Sequence, residues 1–254
     1  MKTIVLLSDA RNPVSGRQQL SRLEAQAIGL AAGLCEKPRG LHAGSGEDGV
    51  SAGLGHGLAG LDIIDLPATD DPLPALAGFI AKAMGGAGAP ELILCGRRGE
   101  GGEETGLVPY RLAETLGLPI LADAVAIRAG EIAGTLVVDQ AMAKGARRRV
   151  TIKLPAIVTV HSLAPPPMPF AFGRMRRGEI RHHEPLERLG LPDTAARSDA
   201  SAEERPHRAR PKLMRQSGTA SGGPNLHVGP EPDEAARLIL DYLEANGIRR
   251  YGSS

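Results

Sequence analysis

The residues best suited to chemistry are concentrated in one loop, Cys95–Gly106, with the sequence CGRRGEGGEETG. Its glycines let backbone N–H groups approach a phosphate, and a helix starting after the loop would add partial positive charge at its N-terminus. Within it Gly96, Arg97, Gly99, Thr105 and Gly106 are the candidate nucleotide contacts, with Arg98 in support. Glu100, Glu103 and Glu104 oppose a phosphate and are expected to face water or ribose hydroxyls. The string is neither GxGxxG nor the P-loop pattern GxxxxGKS/T, and it reads equally well as a solvent-exposed loop.

A second nucleotide-facing stretch is the loop Ser8–Gly16 with the following helix entry, Ser21, Arg22, Leu23 and Glu24. Parallel sheets bind ligands at the carboxyl ends of their strands, and this loop follows the first strand. Ser21 and Glu24 also stand at capping-box spacing, in which a Ser N-cap meets a Glu three residues on.

Two of the three phenylalanines, Phe170 and Phe172, lie with Met168 in APPPMPFAFGRMRRG. Prolines keep this segment out of a central strand, so its apolar side chains are expected on a surface loop beside Arg174, Arg176 and Arg177. Apolar anchors with a basic flank suit partner docking. The alternative is that the rings fold back to cover the sheet edge.

Other reactive side chains form no constellation. His182 and His183 are adjacent, so on an extended chain they point to opposite sides and make a poor metal pair. His56, His161, His207 and His227 show no ligand spacing, and Cys35 and Cys95 belong to no CxxC or zinc pattern. No GxSxG elbow is present, and no nucleophile with its base can be assembled. Neither a catalytic residue nor a metal site is therefore expected.

The elements that would hold these loops follow from periodicity. Thr3–Leu7 reads as a buried strand, 20–34 as a helix, 53–60 as a Gly/Ala-rich helix-like stretch and 61–66 as a short strand. A helix over 70–84, a strand over 91–95 and a helix over 107–116 ending at Gly117 come next. This order implies a parallel sheet between helix layers. Short strands over 122–128, 134–139, 147–153 and 156–160 suggest added hairpins, with Arg147–Arg149 as a charged turn. Residues 185–230 are too poor in apolar side chains to fold alone, and 231–246 is an amphipathic helix that must dock on something. The expected division is thus 1–184 and 185–254.

With 30 basic and 29 acidic side chains, the formal charge of +1 gives no global attraction to nucleic acid or anionic membrane. The first residues lack the ~7–15 residue apolar stretch of a secretory signal. No stretch approaches the ~20 apolar residues of a membrane span. A cytoplasmic protein, not embedded in membrane, is expected.

Taken together, NPVSGRQQLSRLEAQAIGLA, LILCGRRGEGGEETGLVPYRLAETLGLP, LPAIVTV and RMRRGEI resemble the β subunit of electron transfer flavoproteins, in order and spacing over most of the chain. The resemblance implies a Rossmann-like α/β domain of the adenine-nucleotide α-hydrolase type with added β-hairpins and an extended C-terminal arm. It implies a heterodimer with an α subunit that holds most of the FAD, and AMP, or in some members a second FAD, in the β chain. It also implies electron transfer from a flavin-linked dehydrogenase to a membrane quinone oxidoreductase or another carrier, without bond-making catalysis by this chain. Ser21 to Glu24 match the family's helix-entry contacts, Gly96, Thr105 and Gly106 the ends of its phosphate loop, and Met168 its docking anchor. Two departures stand out: GEGGEE replaces the usual aspartates and glutamine before the final TG, and PPPMPFAF replaces an Asn-(Glu)-Pro-Arg pattern. They suggest altered nucleotide contacts and a carrier matched to one dehydrogenase. The rival is a stand-alone adenine-nucleotide-binding module or ATP-cleaving enzyme of the same fold. Its phosphate loop would have to be GSGEDG at Gly44–Gly49, which follows no convincing strand.

Overall fold

Alternation of side chains across buried strands sets the architecture of the N-terminal part of this computed structural model. It describes residues 1–12, 14–67, 70–86, 88–99, 106–185, 227 and 229–247. The chain divides into two units, Met1–Arg197 and Ser198–Ser254.

In the first unit, β1 (Thr3–Leu7) leads through a small ladder of β2 (Ala10–Arg11) and β3 (Gln18–Gln19) to α1 (Arg22–Leu34) and β4 (Arg39–Gly44). Next come α2 (Ala52–Gly55), β5 (Gly60–Asp65), α3 (Pro72–Met84), β6 (Leu92–Gly96) and α4 (Val108–Leu116). The remainder is β7 (Ile120–Ala129), β8 (Thr135–Ala141), β9 (Arg147–Lys153), β10 (Ala156–Val160), α5 (Phe172–Arg177) and β11 (Glu179–His183). The sheet runs β11-β5-β4-β1-β6-β10-β7-β8-β9. Pairings from β11 to β7 are parallel, and β7-β8-β9 is an antiparallel meander.

Val5, Leu7, Leu92, Leu94, Val158 and Val160 point to the face covered by α1 and α2, where Ile28 and Leu54 are fully buried. Leu6, Leu41, Ile93, Cys95 and Ile157 point the other way, against Leu76 and Ile80 of α3 and Leu112 of α4. Burial on both faces explains why these strands read as continuous apolar runs. Asp71 caps α3 by accepting the Leu73 N–H at 2.9 Å, just ahead of Pro72. Gly117, at φ +64°, ends α4 in the left-handed conformation expected of a C′ glycine.

Three elements correct the sequence-based expectation. Arg39–Gly44 is a central strand, although Gly, Ala, Arg and His dilute its apolar signal. GSGEDG therefore does follow a strand, β4. Phe172–Arg177, expected as loop, is the short helix α5, and Glu179–His183 within the basic stretch is strand β11, paired from Glu179 opposite Gly60. The strand expected over 147–153 is the edge strand β9, so Arg147–Arg149 lies within the strand and not in a charged turn, with Arg149 2.7 Å from Asp139.

His182 and His183 do point to opposite sides. His182 Nδ1 is 2.9 Å from Asp65 and its Nε2 3.4 Å from Glu47, whereas His183 Nε2 is 2.9 Å from Asp62. Arg39 completes the cluster, 2.7 Å from Asp62 and 3.2 Å from Glu179. These ion pairs fasten β11 to the sheet beyond its ladder.

In the second unit, α6 (Pro232–Ala245) carries Asp233 and Glu234 in its first turn, where acids suit the helix dipole, and gives way to Gly247 at φ +67°. Of the arm expected over 185–230, residues 186–226 and 228 lie outside the described residues. Among the described residues no helix is long and apolar enough to cross a membrane.

Candidate functional site

From β1 the chain builds outward through β4 to β5, then returns through α3 to β6 on the other side of β1. The point of reversal lies between β1 and β6, and such sheets bind ligands outside the carboxyl ends of the strands there. The loops leaving these two ends are Ser8–Ser21 and Arg97–Leu107, the two stretches singled out from sequence.

Glu24 ties the first loop to the helix. Its Oε1 accepts the Ser8 amide N–H at 2.8 Å and the Ser8 hydroxyl at 2.6 Å, with the side chain only 3% exposed. Ser21, fully buried, caps α1 by accepting the Glu24 N–H at 3.2 Å. The helix cap and the tie to the first loop thus coexist in one pair of residues. Arg22 is exposed at the helix entry, while Leu23 is buried beneath it. Asp9 accepts from Gln18 at 2.8 Å, closing the β2–β3 ladder at the loop's base.

The second loop depends on glycine. A Cβ at Gly96 would lie 3.1 Å from the Leu23 Cβ and 3.0 Å from the Arg98 carbonyl. At Gly106, with φ +68°, it would meet the Arg97 carbonyl at 2.8 Å. Both ends of the loop therefore pack closely on the chain itself, and a side chain at either would have to push a neighbour aside. Arg97 donates its amide to the Val160 carbonyl at 3.1 Å and places Nη1 3.5 Å from Asp123. Gly99 is half-buried on the same loop. Thr105 and Glu100–Glu104 lie outside the described residues.

Sequence patterns missed Asp123 and Thr159. A register shift against β10 puts Asp123 at φ +59°, and its N–H donates to the buried Thr159 hydroxyl at 3.0 Å. The only signal was an acid inside the apolar run ILADAVAI. Cys95, beside the loop, is no nucleophile: burial, then the charge of Glu24, pushes its thiol far above the ordinary range. Among the described residues no cluster of His, Cys, Asp or Glu is placed to hold a metal ion.

The second candidate region crosses the α1–α2 layer. Met168 sets its Sδ 3.3 Å from where a Cβ at Gly57 would lie, and Phe170 occupies the place of a Cβ at Gly55, 5.5 Å from the His56 ring. Both lie on the glycines of α2 and its exit rather than on the sheet edge. They remain 37% and 48% exposed, and Phe172 is 63% exposed.

A doubly wound parallel sheet with a glycine-bound loop at its reversal point defines an α/β protein of the Rossmann-like class. The family model "Electron transfer flavoprotein domain" matches residues 14–187. The electron transfer flavoprotein subunit beta of Chromohalobacter salexigens is 40% identical over 185 residues, 71% of this chain and 67% of that protein. The chain belongs to the electron transfer flavoprotein β-subunit family, and electron transfer as part of a flavoprotein is its function.

Proposed function

We propose that this chain pairs with an electron transfer flavoprotein α subunit in an obligate heterodimer, in the cytoplasm, and that the pair carries electrons from a flavin-linked dehydrogenase to a membrane quinone oxidoreductase or another acceptor. The observation that carries the nucleotide part of this reading is the loop at the β1–β6 reversal point. The loop closes at Gly96 and Gly106, where a side chain would meet the chain itself, and the Ser21-capped start of α1 lies beside Gly96 through Leu23.

Ser8, Ser21, Arg22, Leu23 and Glu24 would hold one side of an AMP, and Gly96, Arg97, Gly99, Thr105 and Gly106 would enclose its phosphate. FAD, held mainly by the α subunit, supplies the redox chemistry. Residues of this chain bind, orient and exclude water; none is assigned a bond-making step. Glu24 is committed to Ser8, so it shapes the site rather than gripping a phosphate. Residues 1–184 form the nucleotide domain in this reading, and 185–254 wrap the partner, with α6 supplying an apolar stripe of Ala235, Leu238, Ile239 and Tyr242. Met168, Phe170 and Phe172 face the donor dehydrogenase, flanked by Arg174, Arg176 and Arg177.

Co-expression with an α subunit, purification and assay of the nucleotides released on denaturation test this reading. One FAD and one AMP per heterodimer is the expected result. FAD alone would remove the nucleotide role of the Cys95–Gly106 loop, and failure to associate would remove the heterodimer.

A further inference from the structure

One buried side chain outside both candidate loops grips the segment that follows β10. Gln26 sits in the second turn of α1, only 1% exposed. Its Nε2 donates to the carbonyls of Ala164 at 2.6 Å, Pro165 at 3.1 Å and Ser162 at 3.3 Å. Three carbonyl dipoles converging on one point repel each other unless a donor lies among them, and the amide supplies that donor. A carboxylate of the same shape would add a fourth acceptor, and a thioether would supply nothing. The Gln26 Oε1 is buried with no hydrogen-bond partner, so the amide is oriented for the carbonyls at the expense of its own acceptor.

The far end of the same segment is also pinned. The His56 Nδ1–H donates to the Met168 carbonyl at 2.7 Å, and the Ala171 N–H donates to the Gly55 carbonyl at 3.0 Å. Between the pins, Met168 and Phe170 lie over Gly57 and Gly55. Gln26 also shares its helix with Ser21 and Glu24, so a single rigid element sets both the nucleotide-facing loop and the start of the docking segment.

We propose that Gln26 is a positioning residue for the docking segment: by gathering the carbonyls of residues 162, 164 and 165 it fixes the path from β10 to Met168 and presents the segment ready-made to its partner. Preorganisation of this kind lowers the ordering cost of association. The proposal rests on the docking role given to Met168, Phe170 and Phe172 above.

The test uses the purified α/β heterodimer with Gln26→Met, which keeps length and removes the donor, and Gln26→Glu. Amide hydrogen exchange at Leu163, Ala164 and Ala171 is expected to rise at least tenfold in Gln26→Met, with β10, α1 and FAD content unchanged. Gln26→Glu is expected to be loose at high pH and to tighten as its carboxyl is protonated and regains a donor. His56 and His161 also bond to the segment, so the same pH series on the wild-type heterodimer is the control. Should Gln26→Met fail to fold, the pH-dependent tightening of Gln26→Glu decides alone. Unchanged exchange in Gln26→Met, or pH-independent exchange in Gln26→Glu, overturns the proposal. A further arm measures the KM of the dehydrogenase that reduces the wild-type heterodimer. A several-fold rise at constant kcat supports both roles, whereas faster exchange at unchanged KM keeps the positioning and sinks the docking assignment.

Discussion

Ser8 and Glu24 are joined twice through one oxygen, the amide at 2.8 Å and the hydroxyl at 2.6 Å from Oε1. This joint locks the end of β1 to the first turn of α1, so the loop between them leaves the sheet from a fixed point. Glu24→Ala leaves two donors without their acceptor and is expected to cost about 2–4 kcal/mol, against about 1 kcal/mol for Ser8→Ala. Denaturant midpoints of the heterodimer check the ranking, and released AMP should fall further in Glu24→Ala.

Gly106→Ala forces a Cβ to 2.8 Å from the Arg97 carbonyl at φ +68°, a strain of roughly 1–3 kcal/mol. Gly117→Ala has a similar φ, +64°, but open space around it. Both should destabilise, and only Gly106→Ala should empty the heterodimer of AMP. Equal AMP content in the two variants would remove the loop from the site.

Phe172 is exposed, while Phe170 fills the space above Gly55. Phe172→Ala should change stability by less than about 0.5 kcal/mol and raise the KM of the donor dehydrogenase. Gly55→Ala must displace the Phe170 ring and should cost about 1–3 kcal/mol. Thermal melts and donor kinetics on the two variants separate packing from docking.

The attachment of β11 should depend on pH with opposite signs through its contacts to Asp62 and to Asp65. Burial works against the Asp62 charge, but hydrogen bonds from Arg39 and His183 outweigh it and hold the carboxyl below its usual range. Its contribution is present above about pH 4 and is lost as pH falls through the lower folded value. The bond to Asp65, helped by Glu47, holds His182 above the usual histidine range. Its contribution is complete below about pH 6.5 and is lost as pH rises through the higher folded value. Exchange protection of the β11 amides should therefore peak between about pH 4 and 6.5. His182→Gln should abolish the alkaline decline and leave the acid one, and a modest amplitude is expected because His182 is half exposed.

Elements with a continuous apolar run were legible in the sequence: Thr3–Leu7, Ala156–Val160 and the helices starting at Arg22, Pro72 and Val108 all fall within a few residues of expectation. β4 was not, because His42 turns inward to the Leu7 carbonyl at 2.9 Å and Gly40 and Gly44 give it no hydrophobic period. β11 was hidden for a different reason: its partners are the charges of Asp62, Asp65 and Arg39, and ion pairing leaves no alternation to see. Of the site, glycines and the Ser21–Glu24 spacing pointed to both loops. The Glu24–Ser8 bond, Asp123 and the grip of Gln26 join residues distant in sequence, and only the folded chain brings them together.

The position of β10 has a consequence for how the chain acquires its structure. β10 lies between β6 and β7, and no pairing of β7 reaches the parallel strands except through it. During synthesis from the N-terminus, β6 therefore presents an unpaired edge until residue 160 has emerged, and the meander that precedes β10 in sequence must wait beside it. Such long-range closure slows folding and leaves an aggregation-prone edge open. The nascent protein is thus most vulnerable over the interval in which residues 97–160 are being made, and a substitution that delays the β7–β9 meander should appear first as lost yield.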